Sequence, residues 1–356
     1  METLEGNLPD GSSVPLFTLT CATGAQAHFI GLGAALVGFE VPDKNGVLIP
    51  VACGFAKVSD YLESDTCMGA IIGRYANRIG RAQFQLGGKT FELEANEGAN
   101  CLHSGQSGFH HQVWKLEFFR QSHHSSFVEF SHFSPDGEGG FPGNVQTRVR
   151  YTLRSDGALR LDIAATTDAP TVLNIVHHPY FNLTGDFSKS CLDHRLQIEA
   201  DTYTPTDEVC LPTGAILPVA HTPFDFRNRR RIGEAIEAQA PELQPFGGYD
   251  VNFALREAVL TPLRRVATLT DESSGRSLEI STTQPGMQLY SGNGFDGNLI
   301  GTGGAPLKAH SAIAMEAQHF PDAPNKPDFP SVVYGPDKPF HSQTVYRVKH
   351  SAGYSQ

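Results

Sequence analysis

Leu173-Asn174-Ile175-Val176-His177-His178-Pro179-Tyr180-Phe181-Asn182-Leu183 is a β-like apolar run that carries two adjacent histidines into a proline. Read as a strand, its alternation puts Leu173, Ile175 and His177 on one face and Asn174, Val176 and His178 on the other. His177 shares its face with aliphatics and reads as a core histidine. His178 shares a face with an amide, and Pro179 biases its backbone to an extended conformation that ends the strand with the side chain at the rim. Strand ends that open into loops commonly carry binding groups. A satisfied structural histidine is the competing reading, and Val176 on the same face speaks for it.

Upstream lies a hairpin of strict alternation. Val145, Thr147, Val149, Tyr151 and Leu153 lead through Ser155-Asp156-Gly157 to Leu159, Leu161 and Ile163, the pattern of a sheet with one buried and one solvated face. A second hairpin joins Phe84 to Leu93 across Gly87-Gly88, and a third runs from Val266 through Ser273-Ser274-Gly275 to Ile280. The one helix expected is Arg231 to Gln239, where Ile232, Ala235 and Ile236 fall on one side. With 36 glycines, 23 prolines and no long helical period, the composition predicts an all-β chain. No linker or repeat interrupts the hairpins, so residues 1–356 are expected to form one domain.

Several other stretches carry chemistry-bearing side chains. Gly73-Arg74-Tyr75-Ala76-Asn77-Arg78-Ile79 delivers two arginines and an amide into a Gly-flanked segment, and Asn96 to Gly105 is a polar loop ending near His103. Asp250, between aromatics and glycines, reads in isolation as a turn residue. In Ser311 to Asp322, alternation gives Ile313 and Met315 to one face and Ala312, Ala314, Glu316 and Gln318 to the other. A glutamate among alanines in an apolar strand must find a partner or line a cavity, because burying it unpaired is costly. The pairs His110-His111 and His123-His124 lack metal-ligand spacing and read as structural or surface residues. Gly292-Asn293-Gly294-Phe295-Asp296-Gly297 matches a dinucleotide fingerprint in letters only, since the Gly-rich continuation cannot propagate the helix that would hold a pyrophosphate.

Bulk properties narrow the function classes. The charge balance is 27 basic against 38 acidic residues, net −11, and the longest basic run is Arg229-Arg230-Arg231, which argues against a nucleic-acid partner. The six cysteines are scattered without Cys-x-x-Cys spacing, as expected of reduced thiols rather than a disulfide framework or zinc site. No apolar run approaches membrane-spanning length and the N-terminus lacks a signal-peptide pattern, so a cytoplasmic protein with no membrane partner is expected.

Five of these stretches, in this order, resemble the aldose 1-epimerase (galactose mutarotase) family: Gly73–Ile79, Asn100-Cys101-Leu102-His103, His178–Leu183, Gly248-Tyr249-Asp250 and Met315–Ala323. Weaker support comes from Thr222–Arg227 and Pro285-Gly286-Met287-Gln288. The resemblance spans about residues 14–349. It implies a β-supersandwich of large, mainly antiparallel sheets, with a sugar cleft on one of them and no cofactor or metal. It further implies interconversion of the α and β anomers of a free hexose, in a monomer or homodimer. By the same resemblance His178 is the general acid, Glu316 the general base, and Arg78, His103, Asp250, Asn77 and Gln288 hold sugar hydroxyls. An imidazolium facing a carboxylate, each favouring the other's charge, would supply both proton transfers near neutral pH. The chain departs from the family pattern at Ser104, His177 and Val251, which points to substrate preference rather than to the reaction.

Three other functions remain open at this stage. A sugar-binding protein would not need a matched acid and base, and a glycoside hydrolase would need two flanking carboxylates, nominally Glu316 and Asp250. A related isomerase acting on a sugar phosphate would call for a basic cluster beyond Arg78. One acting on an unusual lactol would not.

Overall fold

The computed structural model describes residues 2–122, 125–257 and 262–350, so the His123-His124 pair lies outside the described residues. Two large antiparallel sheets dominate. The first has eleven strands, in spatial order Thr3–Asn7, Ser13–Thr20, Gln26–Ile30, Leu36–Pro42, Leu48–Ala52, Tyr180–Phe181, Ile313–Gln318, Gly286–Tyr290, Asp250–Leu255, Ala200–Thr204 and Leu217–Pro218. The second has nine: Lys115–Arg120, Ser125–Ser134, Val145–Arg154, Leu159–Thr167, Phe340–His350, Arg276–Thr282, Arg264–Asp271, Arg195–Ile198 and Arg230–Arg231. Five strands of the first sheet build the site and are labelled in chain order: β1 (Tyr180–Phe181), β2 (Ala200–Thr204), β3 (Asp250–Leu255), β4 (Gly286–Tyr290) and β5 (Ile313–Gln318).

The core lies between the sheets because each strand turns its apolar alternate there. In Val145–Arg154 the odd-numbered residues are buried and the even ones half-buried or exposed. Val149, Leu161, Leu278 and Tyr346 from one sheet meet Phe29, Val251, Leu289 and Met315 from the other in a single apolar cluster. The three hairpins form as read, with register Phe84↔Phe91, Val149↔Ile163 and Leu269↔Leu278. Gly87 and Gly88 both have positive φ, 59° and 76°, as a two-residue turn matched to strand twist requires. A strand, Asp296–Ile300, begins within the discarded fingerprint where a helix would have to start.

Two expectations need correction. Arg231 to Gln239 is not a helix: Arg230–Arg231 forms an edge strand, and a single 3-10 turn, Ile232–Glu234, follows. Ile232 and Ile236 are buried as their spacing suggested. However, the backbone N–H groups of Ile232 and Gly233 donate to His194 O and Leu192 O. Those tertiary bonds win over a short helix that is marginal in itself and has glycine in its first turn. Among the described residues the α-helix is instead Val58–Glu63, and no helix is long and apolar enough to cross a membrane.

The 173–183 stretch is not one strand either. Val176–His177 pairs with Ile71–Ile72, while β1 pairs with β5 and with Ala52. Alternation survives the breaks. Leu173 and Ile175 enter the inter-sheet core and His177 Nδ1 lies 3.1 Å from Tyr346 Oη. On the other face Asn174 is buried but satisfied, donating from Nδ2 to Ala76 O and accepting at Oδ1 from His319 N. His178 is therefore no strand end at a rim. It is the link that carries the chain into the main sheet, its N–H donating to Ala70 O and its carbonyl accepting from Gly69 N.

Candidate active site

Cross-strand register assembles the site. Tyr180 on β1 faces Ala314 on β5 in an antiparallel pair, so two residues before Tyr180 and two after Ala314 His178 meets Glu316. Their side chains touch, Nε2 to Oε1, at 3.3 Å. Glu316 in turn faces Gln288 on β4, and Gln288 faces Asn252 on β3. A polar row thus crosses an otherwise apolar sheet on the face away from the core. Ala314 beside it is buried in an apolar cluster with Tyr180 and Phe295.

His178 and Glu316 are 5% and 2% exposed and line a cleft of about 600 Å³. The expected mutual support of charges is not what dominates here. Burial pushes the His178 imidazole down to about 4. Burial, reinforced by the Asp250 carboxylate, raises Glu316 well above the usual carboxylate range. Desolvation disfavours both ionic forms, which favours a proton held on the carboxyl beside a neutral ring over the separated charges of an ion pair. Moving that proton to the imidazole gives imidazolium and carboxylate with no change in total charge. Glu316 Oε2 and His178 Nδ1 are buried with no partner among the described residues. Orphaned polar atoms of this kind at a cleft are costly, and a ligand hydroxyl can satisfy the carboxyl oxygen.

Around the pair, Arg78 lies on a short strand where it faces Leu102, and His103 follows Leu102 in the turn that ends the partner strand. Asn77 and His103 both adopt left-handed backbone, φ 63° and 54°, a strain that non-glycine residues carry mostly where geometry is functional. It is held by His103 N donating to Asn77 O and Asn77 N donating to His103 Nδ1 at 3.1 Å. With Nδ1 an acceptor and burial pushing the ring well below its ordinary pKa, the proton of neutral His103 sits on Nε2.

Arg78 gives Nε and Nη2 to Glu97, both at 2.7 Å, and Nη1 reaches Asp250 Oδ2 at 3.5 Å. Asp250 Oδ1 accepts from Gln288 Nε2 at 2.6 Å, and Gln288 Oε1 accepts from Gln318 Nε2 at 3.0 Å.

His178, Glu316, Arg78, His103, Asp250 and Asn77 all line the cleft. Asn77 contributes structurally too, its Oδ1 accepting from Arg78 N. Gln288 is not in the lining; its amide is committed to Asp250 and Gln318, so it acts through Asp250. Arg74 is remote, spending its guanidinium on Ser134 Oγ and on the carbonyls of Ser134, Pro135 and Pro142. The departures from the family pattern also lie off the cleft. Ser104 Oγ is bonded to the Tyr75 backbone, His177 packs against Tyr151 and Tyr346, and Val251 is core.

Sequence reasoning missed Glu97 and the aromatic lining of Tyr180, Tyr290 and Phe295. The tyrosine after His178-Pro179 was the only signal for that lining.

An acid, a base and a ring of hydroxyl-binding groups suit proton transfer on a polyol. Comparison with known proteins points the same way. The family model described as aldose 1-epimerase matches residues 15–347. Galactose mutarotases from Sus scrofa and Homo sapiens are each 38% identical, over 344 and 345 residues, with 96% of both chains covered. The crystal structure of galactose 1-epimerase from Lactobacillus acidophilus NCFM superposes with a TM-score of 0.85 at 27% identity, covering 98% of each chain.

Proposed function

Because the chain belongs to the aldose 1-epimerase family, we propose that it interconverts the α and β anomers of a free hexose, galactose or glucose, with His178 as acid and Glu316 as base. The observation that carries the assignment is the 3.3 Å contact between His178 Nε2 and Glu316 Oε1 at the buried floor of a polar cleft. Arg78 Nη1 and the Nε2–H of His103 supply donors and Asp250 an acceptor for the hydroxyls of the ring. Tyr180, Tyr290 and Phe295 present apolar surface to its C–H face.

Sugar binding replaces the direct contact of the pair. The shared proton passes to His178, leaving Glu316 as carboxylate against the anomeric hydroxyl. Glu316 takes the O1 proton as His178 Nε2 gives its proton to the ring oxygen, and the C1–O5 bond breaks to leave an aldehyde. Rotation about C1–C2 presents the other face. O5 then attacks C1, returning its proton to His178, while the new O1 recovers the proton held by Glu316. No proton or electron is left over, so the cycle balances without a co-reactant. The reading takes the chain as one catalytic unit, because the inter-sheet core draws on residues from Phe17 to Tyr346.

The test is polarimetry of freshly dissolved α-D-galactose and α-D-glucose against a buffer blank. Acceleration proportional to enzyme concentration is expected with at least one of them. A folded sample that leaves both decays at the blank rate would reject mutarotation of these sugars.

A further inference from the structure

Among the described residues, Arg78 is the one arginine or lysine in the cleft lining, and its guanidinium is tightly held along one edge only. A guanidinium carries its N–H donors in a rigid planar fork, so fixing one edge decides where the other points. The Nε and Nη2 edge is locked to the Glu97 carboxylate by two bonds of 2.7 Å each, the paired geometry in which such contacts are strongest. The opposite side carries Nη1, which reaches Asp250 Oδ2 at only 3.5 Å, long for a hydrogen bond. Glu97 itself is half-buried and stands outside the cleft lining. Its loop is folded to put it there. Glu97 and Asn100 exchange backbone hydrogen bonds around a turn in which Gly98 has φ 58°, and the Asn96 side chain bonds both Leu102 N and Leu102 O. Leu102 faces Arg78, so carboxylate and guanidinium are tied to the same short ladder.

We propose that Glu97 is a positioning residue for Arg78: by holding the Nε and Nη2 edge it turns Nη1 into the cleft and keeps the guanidinium from closing as a fork on Asp250. That role rests on the mutarotase reading, in which Arg78 and Asp250 hold sugar hydroxyls. Both side chains are largely buried, and opposite charges attract more strongly there than in water. With no other anion to hold it, the guanidinium would pair with Asp250 through two short bonds. Asp250 Oδ1 already accepts from Gln288, so the fork would also occupy Oδ2, the oxygen left for the sugar. A second carboxylate on the opposite edge offsets that attraction. It leaves between Arg78 and Asp250 a long contact that a hydroxyl can enter, donating to Oδ2 and accepting from Nη1. Glu97 thus acts on the sugar only through Arg78.

The experiment measures initial rates of mutarotation and, by calorimetry, the Kd for galactose and glucose in the wild type, Glu97→Gln, Arg78→Ala and the combined variant, each checked for folding by its thermal transition. Glu97→Gln keeps the size of the side chain and removes its charge. It should raise KM and Kd together about tenfold, while kcat stays within about twofold because the His178 and Glu316 pair is untouched. Added to Arg78→Ala, the same change should move KM and Kd by no more than about twofold, since the group it acts through is already gone. A folded Glu97→Gln protein with wild-type KM and Kd overturns the assignment. So does a tenfold loss that recurs in full on the Arg78→Ala background, the mark of a loop contact that matters for structure alone. A wild type that binds one of these sugars yet accelerates neither would overturn the mutarotase reading instead, and the Kd comparison would still decide the role of Glu97. A wild type that neither binds nor accelerates them overturns both.

Discussion

An imidazole and a carboxyl 3.3 Å apart and almost fully buried do not titrate independently; the pair takes up and releases protons as a unit. The proposed mechanism needs one proton on the pair, whichever atom holds it. Because burial lowers His178 to about 4 and raises Glu316, the singly protonated form spans a wide window around neutrality. We expect kcat/KM for galactose, corrected for the blank, to be flat through neutral pH. It should fall on the acid side as the pair gains a second proton near the His178 value, and on the alkaline side once the pair loses its last one. A profile with a single step at an ordinary histidine pKa of about 6.5 would show that His178 works as an isolated group. Alternation alone placed His178 and Glu316 on the faces they occupy. It gave no access to Glu97 or to the indirect position of Gln288, which depend on loops and amides meeting across long stretches of sequence.

The strands matter as a row. Glu316, Gln288 and Asn252 stand on successive strands with His178 on the link beside them, and Gln318 ties the row together by donating to both Gln288 Oε1 and Asn252 Oδ1. That donation leaves Gln288 with its NH₂ toward Asp250, the orientation in which it can hold the carboxylate. Gln318→Ala should let the Gln288 amide turn and Asp250 drift, so KM for galactose should rise about tenfold with kcat little changed. Initial-rate kinetics check this, and an unchanged KM would mean that Asp250 is held without the relay. The same scale shows what local sequence can and cannot convey. Hairpins are legible because both partners and the turn lie within twenty or so residues. The pairings of Val176–His177 with Ile71–Ile72 and of Thr171–Val172 with Val333–Tyr334 bridge a hundred residues or more and leave no local trace. Ile232 and Ile236 have the spacing of a helix face, yet are buried by a turn anchored to Leu192 and His194.

Across the whole molecule, the sandwich buries histidines that have no part in catalysis. His177, His194 and His319 lie in or beside the core, and burial pushes them down to about 3, about 4 and about 4. Their folded values lie below the unfolded value of about 6.5. The unfolded chain therefore binds more protons in that interval, and the stability they contribute is full above about pH 6.5 and lost as pH falls toward 4. Each contributes up to about 1.4 kcal/mol per pH unit, and together they weigh heavily against a typical total of about 5–15 kcal/mol. Thermal unfolding should show Tm falling steeply between pH 6.5 and 5, and a flat Tm there would mean that these rings gain protons without opening the fold. The all-β class was legible from strand alternation and turn residues, and the sandwich of large sheets from the family resemblance. The cleft was not, because its walls come from segments as far apart as Glu63 and Leu299.

The most direct test is a double-mutant cycle on the pair, with α-D-galactose followed by polarimetry in Glu316→Gln, His178→Asn and the combined variant. Two coupled proton transfers, one at each group, predict that each single change costs about 10²–10⁴ in kcat and that the double variant is no slower than the worse single one. Losses that multiply, or a single variant that keeps wild-type kcat in a folded protein, would contradict the shared-proton mechanism.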